Sequence, residues 1–196
     1  MSLFTPSQGF QTLDWQSNNG VRTTRSVSGK TFRVRTGNQS WSFKLTSPAL
    51  TREQFMADYS FFVQQEGMTN SFTIVPPTIG TTRGTANSDA ITVNAAYAAG
   101  QSLVKAQGGS GTLKKGDLIK FSNHDKVYML TEDINMDTSS EDFFHIFPVL
   151  TTAVSSSTTI THTNVPVKVF LDTNQIKFVT QADGLYRYEI VLNEDI

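Results

Sequence analysis

The five residues Ser122-Asn123-His124-Asp125-Lys126 put a candidate base, a candidate orienting carboxylate and a cation in consecutive positions. Such a set can move a proton, but neighbours on a turn rarely face each other, and covalent chemistry needs a nucleophile as well. The loop lies between two β-prone runs, Asp117 to Phe121 and Lys126 to Thr131, and reads as a solvated turn. The three histidines, His124, His145 and His162, are widely separated, with no two at short ligand spacing, so no metal is expected. Gly111-Thr112-Leu113-Lys114-Lys115-Gly116 has the glycine spacing of a phosphate loop, but Asp117 follows where lysine is required and would repel the phosphate. The acids Glu132, Asp133, Asp137, Glu141 and Asp142 lack the ligand register and central glycine of a calcium loop and read as a solvated hairpin tip. No cysteine is present, which removes thiolate nucleophiles and disulfides. No carboxylate pair, Ser-His arrangement or dinucleotide glycine fingerprint stands out. The reading is a protein without catalysis, cofactor or metal.

A different kind of site is suggested by Arg22, Arg25, Lys30, Arg33 and Arg35, which make one amino-terminal hairpin basic. At the period of a strand, Arg33 and Arg35 share a face opposite Phe32 and Val34. The set Arg22, Arg25, Arg33 and Arg35 is a candidate contact with nucleic acid or with an acidic neighbour. The whole chain has 16 Lys and Arg against 17 Asp and Glu, a net charge of -1, so no overall field steers it to nucleic acid or an anionic membrane.

These residues must be positioned by a folded core. A chain of 196 residues with 38% hydrophobic and 11% aromatic residues is long and apolar enough for one generous domain or two small ones. Its start has no basic segment followed by an apolar run, so no signal peptide is expected, and no run approaches the roughly 18 apolar residues of a membrane helix. The first third reads as a β-meander followed by a helix. Val21 to Val27 and Thr31 to Thr36 form strands joined by a turn at Ser28-Gly29-Lys30, and Ser40 to Thr46 follows with Trp41, Phe43 and Leu45 on one face. Thr51-Arg52-Glu53-Gln54 matches a capping box, and Phe55, Met56, Tyr59, Phe62 and Val63 form the apolar stripe of a helix from Arg52 to Glu66, stopped by Gly67. Phe72 to Val75 is a strand ended by Pro76-Pro77.

From Thr78 to Pro166 the texture changes to short β-prone runs between Gly, Ser and Thr: Ala90 to Val93, Leu103 to Ala106, Asp117 to Phe121, Lys126 to Thr131, Phe143 to Phe147 and Thr159 to Thr163. Ala153 to Thr158 reads as a loop. Strands return at Val167 to Leu171, Gln175 to Val179 and Leu185 to Leu192, with a turn at Asp183-Gly184. Strands at both ends of a chain commonly pair, because a lone hairpin cannot bury its apolar face. The expected architecture is mainly β (α+β): a split β-sandwich or barrel-like domain with one helix, residues 1–77 and 167–196, carrying an inserted small barrel at residues 78–166. Leu118, Phe121, Val127 and Leu130 are expected in the barrel core.

Several residues then converge on a family. Lys115-Gly116-Asp117-Leu118-Ile119-Lys120-Phe121-Ser122-Asn123-His124-Asp125-Lys126-Val127-Tyr128, followed by Phe147-Pro148-Val149-Leu150, resembles the glycine-aspartate strand, His-x-Lys-Val-Tyr turn and Tyr-Pro-x-Leu of distal tail proteins of long-tailed bacteriophages. The branch is the one, found in siphophages of enteric bacteria, whose added domain is an oligosaccharide/oligonucleotide-binding (OB) type barrel. The resemblance implies a structural virion protein at the distal end of the tail, assembled in the cytoplasm of the host bacterium. It implies a homo-hexameric ring that joins the tail tube protein to hub and tip proteins, with the tape-measure protein among its candidate neighbours. DNA would pass through the bore without specific binding, and no membrane insertion is implied. The basic hairpin would face the lumen or an adjacent subunit.

A carbohydrate-binding module at the tail tip, aiding host adsorption, is the rival reading. Its platforms would be Tyr97, Tyr128 and Phe144, although alternation buries most aromatics of the insert. Nucleic-acid binding by the barrel would rest on Lys105, Lys114, Lys115, Lys120 and Lys126, which the acidic tip offsets.

Overall fold

The computed structural model describes residues 2–87, 90–138, 141–180 and 184–196. Five strands come first: β1 (Leu3–Phe4), β2 (Thr12–Asn18), β3 (Val21–Arg25), β4 (Thr31–Arg35) and β5 (Ser40–Thr46). Helix α1 (Arg52–Gln64) and β6 (Phe72–Ile74) follow. The middle of the chain supplies β7 (Ile91–Val93), β8 (Leu103–Gln107), β9 (Gly111–Leu113), β10 (Leu118–Phe121), β11 (Val127–Leu130), β12 (Ile134–Met136), β13 (Glu141–Phe147) and β14 (Thr159–Thr161). Three strands close it: β15 (Val167–Leu171), β16 (Phe178–Thr180) and β17 (Tyr186–Glu194). The protein is mainly β, as its alternation predicts.

Strands from both ends build one seven-stranded sheet in the order β1-β6-β15-β17-β5-β2, with β16 added to β17. Strands β10-β11-β13-β8-β7-β14 close a barrel, and β9 and β12 form a separate ribbon beside it. The chain leaves and re-enters the sheet at adjacent points, since Ile74 of β6 pairs with Val167 of β15 and Val165 donates its N–H to the Gly80 carbonyl at 2.9 Å.

The helix begins where its capping box predicts. Thr51 accepts from Gln54 N–H, and the Gln54 side chain accepts from Thr51 N–H at 3.0 Å. Phe55 and Phe62 are buried against the sheet, Phe55 stacking on Tyr186 at 4.8 Å, and such burial stabilises by roughly 2–3 kcal/mol per ring. The apolar stripe is narrower than expected: Met56 and Val63 are exposed, and the third buried residue of the helix is Asp58. Its carboxylate accepts from Ser7 N–H at 2.9 Å, from the Ser7 hydroxyl at 2.7 Å and from the Tyr188 hydroxyl at 2.8 Å. A polar residue on the buried face thus ties the amino-terminal segment and β17 to the helix.

Three further expectations are corrected. The meander does not form, because β5 pairs with β2 and β17 rather than with β4. Strand β2 adds to the expected elements, with Leu13 and Trp15 alternating along it. Leu118 and Val127 leave the barrel core to Ile119, Phe121, Tyr128 and Leu130 and pack instead into the core of the sheet. Strand β10 is accordingly apolar on both faces, as expected of a strand covered on both sides. Of the turn expected at Asp183-Gly184, Asp183 lies outside the described residues.

Candidate interaction site

The loop with the inventory of an active site is a tied turn. His124 has one ring nitrogen on Asn123 Oδ1 and the other on the Tyr128 hydroxyl, each at 2.8 Å. Burial, then the charge of Lys120, lowers its pKa and favours the neutral ring. Asp125 points elsewhere, to Lys120 at 2.9 Å and Lys168 at 3.6 Å. Burial works against its charge, but the Lys120 hydrogen bond and both lysines hold its carboxyl below the usual range. His124 and Asp125 therefore serve separate contacts. The other histidines are also apart: His145 lies 3.8 Å from Glu132, and His162 Nε2 is 2.8 Å from the Asn87 carbonyl. Among the described residues no cluster with metal-ligand chemistry forms.

The glycine-rich stretch before β10 is structural as well. Gly116 takes φ +90, and buried Asp117 accepts from the Lys114 N–H at 2.9 Å and from Arg83 Nε at 3.2 Å. An aspartate at this point closes a turn instead of meeting a phosphate.

Sequence reasoning missed the junction between barrel and sheet. Lys126 and Glu194 form an ion pair with both side chains fully buried. Glu194 also accepts from Val127 N–H at 2.9 Å and Trp41 N–H at 3.0 Å, while Trp41 Nε1 donates to the Val127 carbonyl at 2.9 Å. Desolvation depresses the Lys126 pKa and its Glu194 partner opposes that. A buried charge pair is tolerable where hydrogen bonds satisfy the remaining lone pairs, and the two N–H donors to Glu194 do so. Outside this core, Lys168 bridges Asp195 at 2.8 Å and Asp125 of the barrel turn.

Of the expected sugar platforms, Tyr128 and Phe144 are fully buried in the barrel core, which is a correction: inward alternation leaves neither ring a free face. Tyr97 is half-buried and uses its hydroxyl on Asn94 and the Lys105 N–H. Phe143 and Phe147 are the exposed aromatics of β13, and Lys105 Nζ sits 4.9 Å from the Phe143 ring centre.

The basic hairpin is where an unsatisfied surface stands out. All ten residues of β3 and β4 are exposed. They continue the β2–β5 edge ribbon past a crossing at Gly20 and Gly37, where Thr36 N–H bonds the Gly20 carbonyl at 2.7 Å. A Cβ on Gly20 would meet Gly37 N at 3.0 Å, so glycine is needed for this close approach. Cross-strand pairing puts Arg25, Arg33 and Arg35 on one face, and Arg22, Phe32 and Val34 on the other. None of the four arginines has an ion pair among the described residues. Phe32 is 50% and Val34 61% exposed. A two-stranded ribbon with no buried face is marginal in water, so partner contact is the natural complement of this geometry.

Comparison with known proteins matches an internal stretch of the chain. Residues 80–165 match the family model of the distal tail protein pb9, B domain. That stretch is similar to a domain of a phage distal tail protein. The distal tail protein pb9 of Escherichia phage T5 is 24% identical to it over 127 residues, a match covering 64% of this chain and 62% of that relative. The family match lies on the stretch that holds the closed barrel, while the exposed hairpin lies outside it.

Proposed function

We propose that this chain is a structural component at the distal end of a phage tail, a ring adaptor of six copies that joins the tail tube to hub and tip proteins. The match of residues 80–165 to a distal tail protein domain carries the reading. Residues 1–77 and 167–196 form the ring and residues 78–166 project from it as the barrel. The hairpin arginines Arg22, Arg25, Arg33 and Arg35 are the ring contact. Five of the chain's sixteen cations and none of its seventeen acids lie between Gly20 and Gly37, so the remainder carries eleven cations against seventeen acids. A second copy thus offers the opposite charge to the hairpin, which favours a subunit contact over a lumen lining. The role is non-enzymatic, with the protein resident in the virion after assembly in the host bacterium, and DNA passing through the bore without specific contact. The carbohydrate reading retains Tyr97 alone of its three residues and gains no support from the geometry.

Labelling intact particles with a gold-conjugated antibody against the barrel tests the location. Label confined to the tail end is expected, and label on the capsid or along the whole tube contradicts the proposal.

A further inference from the structure

The face of the seven-stranded sheet turned away from α1 carries a groove of about 420 Å³. Its floor is Thr46 of β5 with Arg187, Glu189 and Val191 of β17, and its wall is the segment bearing Thr173, Gln175 and Lys177. Arg187 Nε is buried there without a hydrogen-bond partner. Glu189 lies two residues along on the same face, yet it is held by Lys44 at 3.0 Å. Lys177 is exposed and, like Arg187, has no ion pair among the described residues. The groove therefore presents two cations without ion pairs among the described residues, a paired acid, two threonine hydroxyls and an apolar patch at Val179 and Val191.

Arg187 is half-buried in the groove lining and has no ion pair among the described residues, so an acceptor that enters the groove meets a cation still free to pair. The guanidinium fork matches the two oxygens of a carboxylate, and the apolar floor suits a short methylene stem behind it. We propose that this groove is a carboxylate-binding site centred on Arg187, with Lys177 as a second, weaker cation at its rim. Its occupant is an acidic side chain of a second copy or a free small carboxylate. The site stands on the groove alone and does not depend on the tail role.

Calorimetric titration of the full chain with glutarate, paired with sedimentation velocity, tests the assignment. Glutarate binds once per chain, whereas glutaramide, of the same shape without charge, does not bind. Arg187→Gln weakens glutarate binding by about tenfold or more. Lys177→Gln, at an exposed residue that leaves folding intact, weakens it roughly two- to threefold. If a second copy fills the groove, Arg187→Gln or added glutarate shifts sedimentation to smaller species. If the occupant is free, sedimentation is unchanged while binding remains. Absence of glutarate binding together with wild-type sedimentation of Arg187→Gln overturns the proposal. So does binding that persists at wild-type affinity in both variants, which marks an adventitious anion only.

Discussion

Lys126 of the barrel turn and Glu194 at the end of the last sheet strand meet as a fully buried ion pair, 68 residues apart in sequence. The pair sits between the two cores, where Leu118 and Val127 of the barrel already pack among residues of the sheet. Charge, hydrogen bonding and apolar packing thus converge on one junction that sets how the barrel is carried.

Removing one member strands the other. Glu194→Gln should lower stability by about 3–5 kcal/mol, because Lys126 is left as an uncompensated buried charge and Val127 and Trp41 lose a charged acceptor. Replacing both residues by apolar ones, Lys126→Met with Glu194→Leu, should cost less than Glu194→Gln alone. Denaturant unfolding of the three chains measures both differences.

Tyr188 gives the fold an alkaline limit. Burial, then its hydrogen bond and proximity to Asp58, raise its pKa, so the folded chain holds a proton that the unfolded chain releases near pH 10. That contribution is complete below about pH 10 and falls away above it. Tyr188→Phe should cost about 1–3 kcal/mol at neutral pH by leaving Asp58 one donor short, and should flatten the loss of stability above pH 10. Thermal melts from pH 7 to 11 separate the two effects.

At the acid end, Asp195 is held below its ordinary range by its hydrogen bonds to Lys168 and Ser71, and Asp125 by Lys120 and Lys168 against the opposing effect of burial. Depressed carboxyls contribute stability above their unfolded pKa near 3.9 and lose it as pH falls through the folded value. Both are partly exposed, so screening limits each to about 0.5–1 kcal/mol. Lys168→Met should remove most of the Asp195 share and a smaller part of the Asp125 share, which Lys120 retains, seen as a smaller drop in melting temperature between pH 5 and pH 3.

The hairpin should separate assembly from folding. Arg33→Glu with Arg35→Glu should leave the melting temperature of the chain nearly unchanged, since surface positions shift stability by about 0.5 kcal/mol or less, while weakening self-association at least about tenfold. Gly20→Ala should act through the ribbon crossing, costing about 1 kcal/mol where its Cβ meets Gly37, whereas Gly37→Ala meets nothing within 4 Å and should be tolerated. Sedimentation and melting curves on the same samples check both pairs.

Much of this architecture was readable in the residues. The Thr51–Gln54 box marks the helix start because capping is local, and the barrel runs are marked by alternation bounded by turn residues. The family resemblance rested on the hairpin from Lys115 to Tyr128, inside the segment that matches the family model. What stayed hidden was long-range. Nothing near Lys126 announces a partner at Glu194, and alternation assigns Leu118 and Val127 a face without saying that the sheet covers it. Asp58 interrupts the helix stripe as an ordinary polar residue would, yet Ser7 and Tyr188 reach it from 51 and 130 positions away. The exposed arginines are legible as a basic hairpin, but their lack of ion pairs among the described residues is a property of the fold.

The central claim is assembly into a ring of six, and native mass measurement with negative-stain imaging of the purified chain tests it most directly. A species of six times the 21.7 kDa chain, appearing as a ring and lost on reversal of Arg33 and Arg35, is the predicted result. A monomer that persists at every concentration and forms no ring contradicts it.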